Sequence, residues 1–242
     1  MNNSIPTYLV HLTASCLMSR DGPHPNRKMT VPVTGILFGH GNRRCVIGAA
    51  TKRFITDGLA LSAVFGVGDV SGSGRKALNH PFSVELASVG MFRSYECAEQ
   101  RWALLGDQIH KNELPGRYDG NEFVPASPIP LPPSAAFTKP CIPVNANSEF
   151  AVFGVRKTGA AMETVVVPTQ FVQAYHQGVV VSLVDADIHH VEFGGAPILD
   201  HNNRLIAMGL FVGKLTSGSL ALVGLSIPEL VSRAGIMIES LF

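Results

Sequence analysis

The sequence predicts an all-β protein made of two β-rich halves and closed by a single C-terminal helix. Three observations carry that expectation. Short Val/Ile/Leu/Phe runs alternate with turn residues at 8–16, 33–39, 44–50, 82–89, 102–105, 150–155, 163–167, 178–184 and 205–212. Many short strands punctuated by turns read as a sandwich or a barrel. A parallel α/β sheet would need helical crossovers, and few segments could supply them. Next, the stretch 123–143 holds Pro125, Pro128, Pro130, Pro132, Pro133, Pro140 and Pro143. Proline fixes φ and lacks an N–H, so that density favours an extended linker over a helix or a central strand. Finally, the last sixteen residues, 227–242, change period from two to helical.

Taken in order, residues 1–122 form the first half and the Gly- and Ser-rich segment 67–79 within it reads as a surface loop. Residues 123–143 are the linker, and 144–242 the second half with its helix. In that helix Leu230, Val231, Ala234, Met237, Ile238 and Leu241 fall at helical spacing. Ser226 is placed as N-cap, Pro228 in the first turn, and Glu229 three residues after the cap.

Composition narrows the function classes. Of 242 residues, 46% are hydrophobic and 15% charged, enough for a large core and too little charge for a disordered chain. The net charge is +1, and Lys and Arg are scattered, with no basic stripe beyond Asn42-Arg43-Arg44. No nucleic-acid partner is expected. The longest apolar runs, such as 178–184 and 220–225, fall far short of the roughly 20 residues that span a bilayer, so no membrane partner is expected. Residues 1–6 are polar and show no secretory or transit signal. Cys16, Cys45, Cys97 and Cys141 are irregularly spaced, without a C-x-x-C pair, so neither a metal site nor a cofactor is expected. Reduced, mostly buried thiols and an intracellular location follow, cytoplasmic or nuclear, with the peroxisome as an alternative.

Several segments, in order, resemble the chymotrypsin/trypsin-like serine protease superfamily. Gly35-Ile-Leu-Phe38 followed by Cys45-Val-Ile-Gly-Ala-Ala-Thr51 is similar to the strand pair that ends in Ala-Ala-His, with Thr51 at the His position. Arg101-Trp-Ala-Leu-Leu105 resembles Asp-x-Ala-Leu-Leu, with Arg101 at the Asp position. Phe150-Ala-Val-Phe-Gly154 looks like the strand opening the second barrel. Glu192-Phe-Gly-Gly-Ala-Pro197 resembles Gly-Asp-Ser-Gly-Gly-Pro, with Gly194 at the nucleophile and Gly195 and Pro197 kept. Residues 198–210 follow as strand, turn and strand, and the resemblance covers about 30–242. A fainter likeness, at the Trp-x-Ala-Leu-Leu-Gly stretch, is to the degenerate N-terminal halves of peroxisomal processing proteases.

The resemblance implies two six-stranded antiparallel β-barrels with a C-terminal α-helix. It also implies a pseudoprotease. The family reaction needs a hydroxyl nucleophile, an imidazole base and a carboxylate that orients the base. Gly194 has no side chain. Thr51 is neither basic nor titratable near neutral pH, and Arg101 is permanently cationic and donates hydrogen bonds only. The frame persists: Gly195 and Ala196 suit the tight turn that would aim N–H groups outward. The strand 208–213 takes the family's place for pairing with an extended peptide. The vestigial cleft would comprise Phe193, Gly195, Leu210, Phe211 and Val212.

Other residues carry weaker signals. His189 and His190 are adjacent, so on a strand they would face opposite sides and could not share one site. Asp185 and Asp187 alternate for one face but read as a solvated loop. Ser71, Ser73, Ser134 and Ser148 fall in apparent loops without a paired His. Trp102, the single tryptophan, reads as core. The leading expectation is therefore an inactive adaptor or scaffold that binds another protein or an extended peptide segment. The alternatives are a hydrolase with a relocated nucleophile, with Cys45 or a loop serine as the candidates, and a structural domain that forms a homodimer.

Overall fold

The computed structural model describes residues 4–17, 28–51, 60–63, 75–76, 78–83, 101–131, 149–159, 161–184 and 188–233. The first half contributes β1 (Leu9–Leu17), β2 (Lys28–His40), β3 (Arg43–Thr51), β4 (Ala60–Ala63), β5 (Arg75–Lys76), β6 (Leu78–Ser83) and β7 (Arg101–Ile109). They are hydrogen-bonded in the order β5-β4-β1-β2-β3-β7-β6. β5 and β6 are two pieces of one segment, separated by residue 77. The first piece pairs with β4 and the second with β7. The segment 75–83 thus completes a six-membered ring.

Between the halves, β8 (Gly116–Asp119) and β9 (Glu122–Pro125) form a hairpin, and β10 (Ile129–Pro130) pairs in parallel with Phe38 and Gly39 of β2. The Pro-rich stretch therefore begins in the hairpin and runs along the first sheet before it passes beyond residue 131. The remainder of that stretch lies outside the described residues.

The second half holds β11 (Glu149–Thr158), β12 (Ala161–Tyr175), β13 (Gly178–Leu183), β14 (Val191–Glu192), β15 (Pro197–Asp200), β16 (Leu205–Lys214) and β17 (Leu220–Ser226). The order β12-β13-β17-β16-β15-β11 is closed by β11–β12 pairing, which makes a six-stranded antiparallel barrel. β12 is long enough to pair with β11 over one stretch and β13 over the next, and an irregularity between Phe171 and Gln173 turns it. An extra residue in one strand bends the ladder, as barrel closure needs. β17 is buried from Ala221 to Ser226, because one face fills the barrel and the other packs outward against the helix and the first sheet.

Strand order is the same in both halves: first, second and third strands in sequence, then sixth, fifth and fourth. The two-barrel, all-β architecture is as the resemblance implies.

The helix starts where the caps place it. Residues 227–233 are helical, and the Glu229 amide donates to Ser226 Oγ at 3.4 Å. Arg233 Nε donates to Glu229 Oε1 at 2.6 Å, one turn on. Leu230 and Val231 are buried in a core cluster shared by both halves, with Ile36, Ile47 and Leu104 from the first and Val223 and Leu225 from the second. Each such aliphatic side chain contributes roughly 1.5–3 kcal/mol by leaving water. Ala234, Met237, Ile238 and Leu241 lie outside the described residues.

Two expectations are corrected. The loop expected at 67–79 gives way to strand from Arg75, since pairing with β4 and β7 overrides turn-rich composition. The run expected at 82–89 starts at Leu78 instead; its residues beyond Ser83 lie outside the described part. The β8–β9 hairpin adds to the elements expected from sequence, and Asp119-Gly120 is its turn signal.

Candidate functional site

Thr51, Arg101 and Gly194, the three positions singled out in the sequence, lie near one end of β3. Thr51 ends that strand and pairs with Trp102, the neighbour of Arg101. Ala49 lies two residues before Thr51, and its carbonyl oxygen would be 2.6 Å from any Cβ at Gly194. The side chains of Thr51, Arg101 and Trp102 lie outside the described residues, so backbone pairing alone places them. Ser71, Ser73, Asp185, Asp187, Ser134, Ser148, Cys97 and Cys141, together with the side chain of Cys16, lie outside as well.

Backbone groups hold the turn 193–196 between the two halves. Phe193 O accepts from the Ala196 amide at 3.1 Å, and the Gly195 amide donates to Gly209 O at 2.9 Å. Gly209 in turn donates to Ala196 O at 2.7 Å. From the first sheet, Thr34 reaches Gly194 O twice, through its amide at 3.1 Å and its hydroxyl at 3.0 Å. Gly195 has φ 78°, and a Cβ there would overlap the carbonyl oxygen of Thr34. Only glycine combines that left-handed backbone with so close an approach. The amides of Gly195 and Ala196 are therefore engaged by carbonyls of β16 and of the turn itself. This is the physical consequence of packing it against both Thr34 and β16.

Beside this turn is a cavity of about 230 Å³, lined by Val31, Pro32 and Val33 of β2, Ala49 of β3, residues 191–194, and Leu210, Phe211 and Val212 of β16. Of the five cleft residues expected from sequence, Phe193, Leu210, Phe211 and Val212 line it. Gly195 does not; it is buried behind the turn. β15 pairs with β16 only over Leu205–Met208. Beyond that ladder Leu210, Phe211 and Val212 of β16 border the cavity, and Val212 is exposed. Sequence reading missed Val31, Pro32, Val33 and Glu192 as cavity residues. No local motif marks them, because the seam between sheets brings them there.

Electrostatics at the cavity rest on Glu192. Its side chain is exposed, yet neighbouring protein atoms displace enough water to raise its carboxyl above the usual carboxylate range. Cys45 is a poor nucleophile. It is buried between the sheets and burial pushes its thiol up to about 12, whereas attack needs thiolate. His189 and His190 are both exposed, their ring centres 6.5 Å apart. They sit in a turn, with His190 at φ 62°, which corrects the strand assumed for them. The surface reading of this pair needs no strand. Among the described residues, no group of three or more His, Cys, Asp and Glu side chains is placed to hold a metal ion. No helix there is long and apolar enough to cross a membrane.

A second polar junction lies away from the cavity. His11 of β1 is fully buried; its Nδ1 accepts from the Tyr118 amide at 3.2 Å and its Nε2 lies 2.9 Å from Thr164 Oγ1 of β12. The Tyr118 amide must donate to a bare Nδ1, so the proton sits on Nε2 and is given to Thr164. Burial, then the nearby Arg117 guanidinium, lowers the imidazole pKa to about 4.

No family model and no curated protein matches the sequence. Solved structures with a similar course of the chain include a mutant of Tobacco Etch Virus protease, at 11% identity and TM-score 0.43 over 96% of this chain and 80% of that one. Human heparin binding protein is similar at 12% identity and TM-score 0.46 over 98% and 94%. An HtrA-type protease carrying a decapeptide gives 10% identity and TM-score 0.44, over 96% of this chain and 64% of that one.

Proposed function

We propose that this protein is a proteolytically inactive double-barrel domain that binds another protein through an extended segment laid along β16. The supporting observation is the turn at Gly194. In a trypsin-like arrangement the attacking hydroxyl would stand at this position, but here a Cβ would lie 2.6 Å from the Ala49 carbonyl oxygen. The position lacks a side chain and has little room for one. Thr51 and Arg101, at the neighbouring strand ends, supply neither a base near neutral pH nor a carboxylate. Beside that blocked position lie an apolar cavity and the part of β16 beyond its ladder with β15, where Val212 is exposed. An exposed strand segment next to a side-chain pocket suits β-augmentation, in which main-chain hydrogen bonds supply affinity and the pocket supplies selectivity.

Two measurements test this reading. Broad serine- and cysteine-directed activity probes should leave the folded protein unlabelled; labelling abolished by one point substitution would establish a relocated nucleophile and overturn inactivity. A display library of extended peptides should yield binders whose affinity falls at least about tenfold in Val212→Asp, which puts a charge on the cavity wall. A library without binders would remove the binding half of the proposal.

A further inference from the structure

The cavity has a size and a charge pattern that narrow what it can hold. At about 230 Å³ it is smaller than the roughly 300–1,000 Å³ of pockets for drug-sized ligands. It exceeds the roughly 150 Å³ of an engineered apolar cavity that takes up benzene. One branched or aromatic side chain fits within that volume. Val33, Phe193, Leu210 and Phe211 make the wall apolar, and Glu192 carries the one hydrogen-bonding side chain in the lining.

Glu192 is the one ionisable residue in the lining, and it is exposed, which puts it at the mouth. No ion pair or side-chain hydrogen bond engages its carboxylate among the described residues. Its main chain is committed to Val155 of β11, so the residue cannot swing away as a unit. A partly desolvated carboxylate without a cation gains from any positive group brought beside it. An acidic neighbour would be repelled at the same place, and such repulsion contributes to selectivity as much as attraction does.

We infer that the cavity takes one apolar side chain of a partner peptide in which an adjacent residue is Lys or Arg, with that cation lying against Glu192. This rests on the peptide-binding reading above and adds the chemistry of the peptide. The occupant is a basic–apolar protein segment rather than a free small molecule, because the exposed Val212 of β16 and the carboxylate of Glu192 both border the cavity, which suits neighbouring residues of one chain.

Fluorescence anisotropy on the full chain tests it, with labelled, end-blocked peptides that carry one central Leu flanked by Lys or, in the counterpart, by Glu. The Lys-flanked peptide should bind at least about tenfold more tightly at low salt. The gap should shrink to within about threefold in Glu192→Gln, and likewise at roughly 0.5 M salt, where surface charges are screened. Replacing the central Leu by Ser should abolish binding to both forms of the protein. Glu192 is exposed, so the variant should keep the wild-type circular dichroism. Equal affinity for the two peptides, with the Leu still required, would overturn the charge assignment and leave peptide binding standing. Failure of both peptides, when a display library does yield other binders, would overturn the cavity assignment alone. Failure of peptides and library together would remove the binding proposal with it.

Discussion

Where Thr34 of β2 meets the 193–196 turn, the two halves touch backbone to backbone: an amide, a hydroxyl and two glycines, with no ionisable group. Where His11 of β1 meets Thr164 of β12, they touch through an imidazole that also anchors the β8–β9 hairpin at the Tyr118 amide. Both junctions bridge the same two halves, but they should fail for different reasons. The first is sensitive to the volume of a single carbon atom and indifferent to pH. The second tolerates small shifts in packing but depends on one ring nitrogen staying unprotonated. The comparison teaches that a junction built from backbone groups and glycines is limited by space, whereas one built on a buried imidazole is limited by protonation.

The largest expected effect breaks the backbone junction. Gly195→Ala places a Cβ on the Thr34 carbonyl and forces alanine into φ 78°. The left-handed strain and the overlap together should cost roughly 3–5 kcal/mol, read as a lower urea midpoint with an unchanged slope. Wild-type stability would show that the turn is not clasped as described. Acid should break the other junction. The folded pKa of His11 is depressed to about 4 from the ordinary 6.5, so the unfolded chain binds the proton more tightly. Its contribution to stability is present above the unfolded value and is lost as pH falls through the window from about 6.5 to 4. The full loss is roughly 3 kcal/mol, and it should vanish from the pH profile of His11→Gln. A variant that keeps the wild-type acid slope would assign that slope to other groups. The smallest effect sharpens the contrast: Thr34→Val removes the hydroxyl bond to Gly194 O but keeps the amide bond. It should cost about 1 kcal/mol by chemical denaturation, with no dependence on pH.

Some of this was legible in the chain and some was not. Short apolar runs, Pro-rich punctuation and the Ser226–Glu229 cap determined the strands, the division and the start of the helix, because each depends on residues within a few positions of one another. Gly194, Phe193, Leu210, Phe211 and Val212 could be marked from a motif, since Gly-Gly-x-Pro and the strand after it are local. The tertiary structure alone brought Val31, Pro32 and Val33 across from the other sheet to wall the cavity, set Glu192 at its mouth, and put the Ala49 carbonyl where a side chain at 194 would stand. It also decided that His11 would be neutral, because its burial and its neighbour Arg117 come from strands more than a hundred positions away in sequence. Periodicity and turn chemistry act over one or two turns of chain, whereas the approach of two sheets is set by how their faces pack.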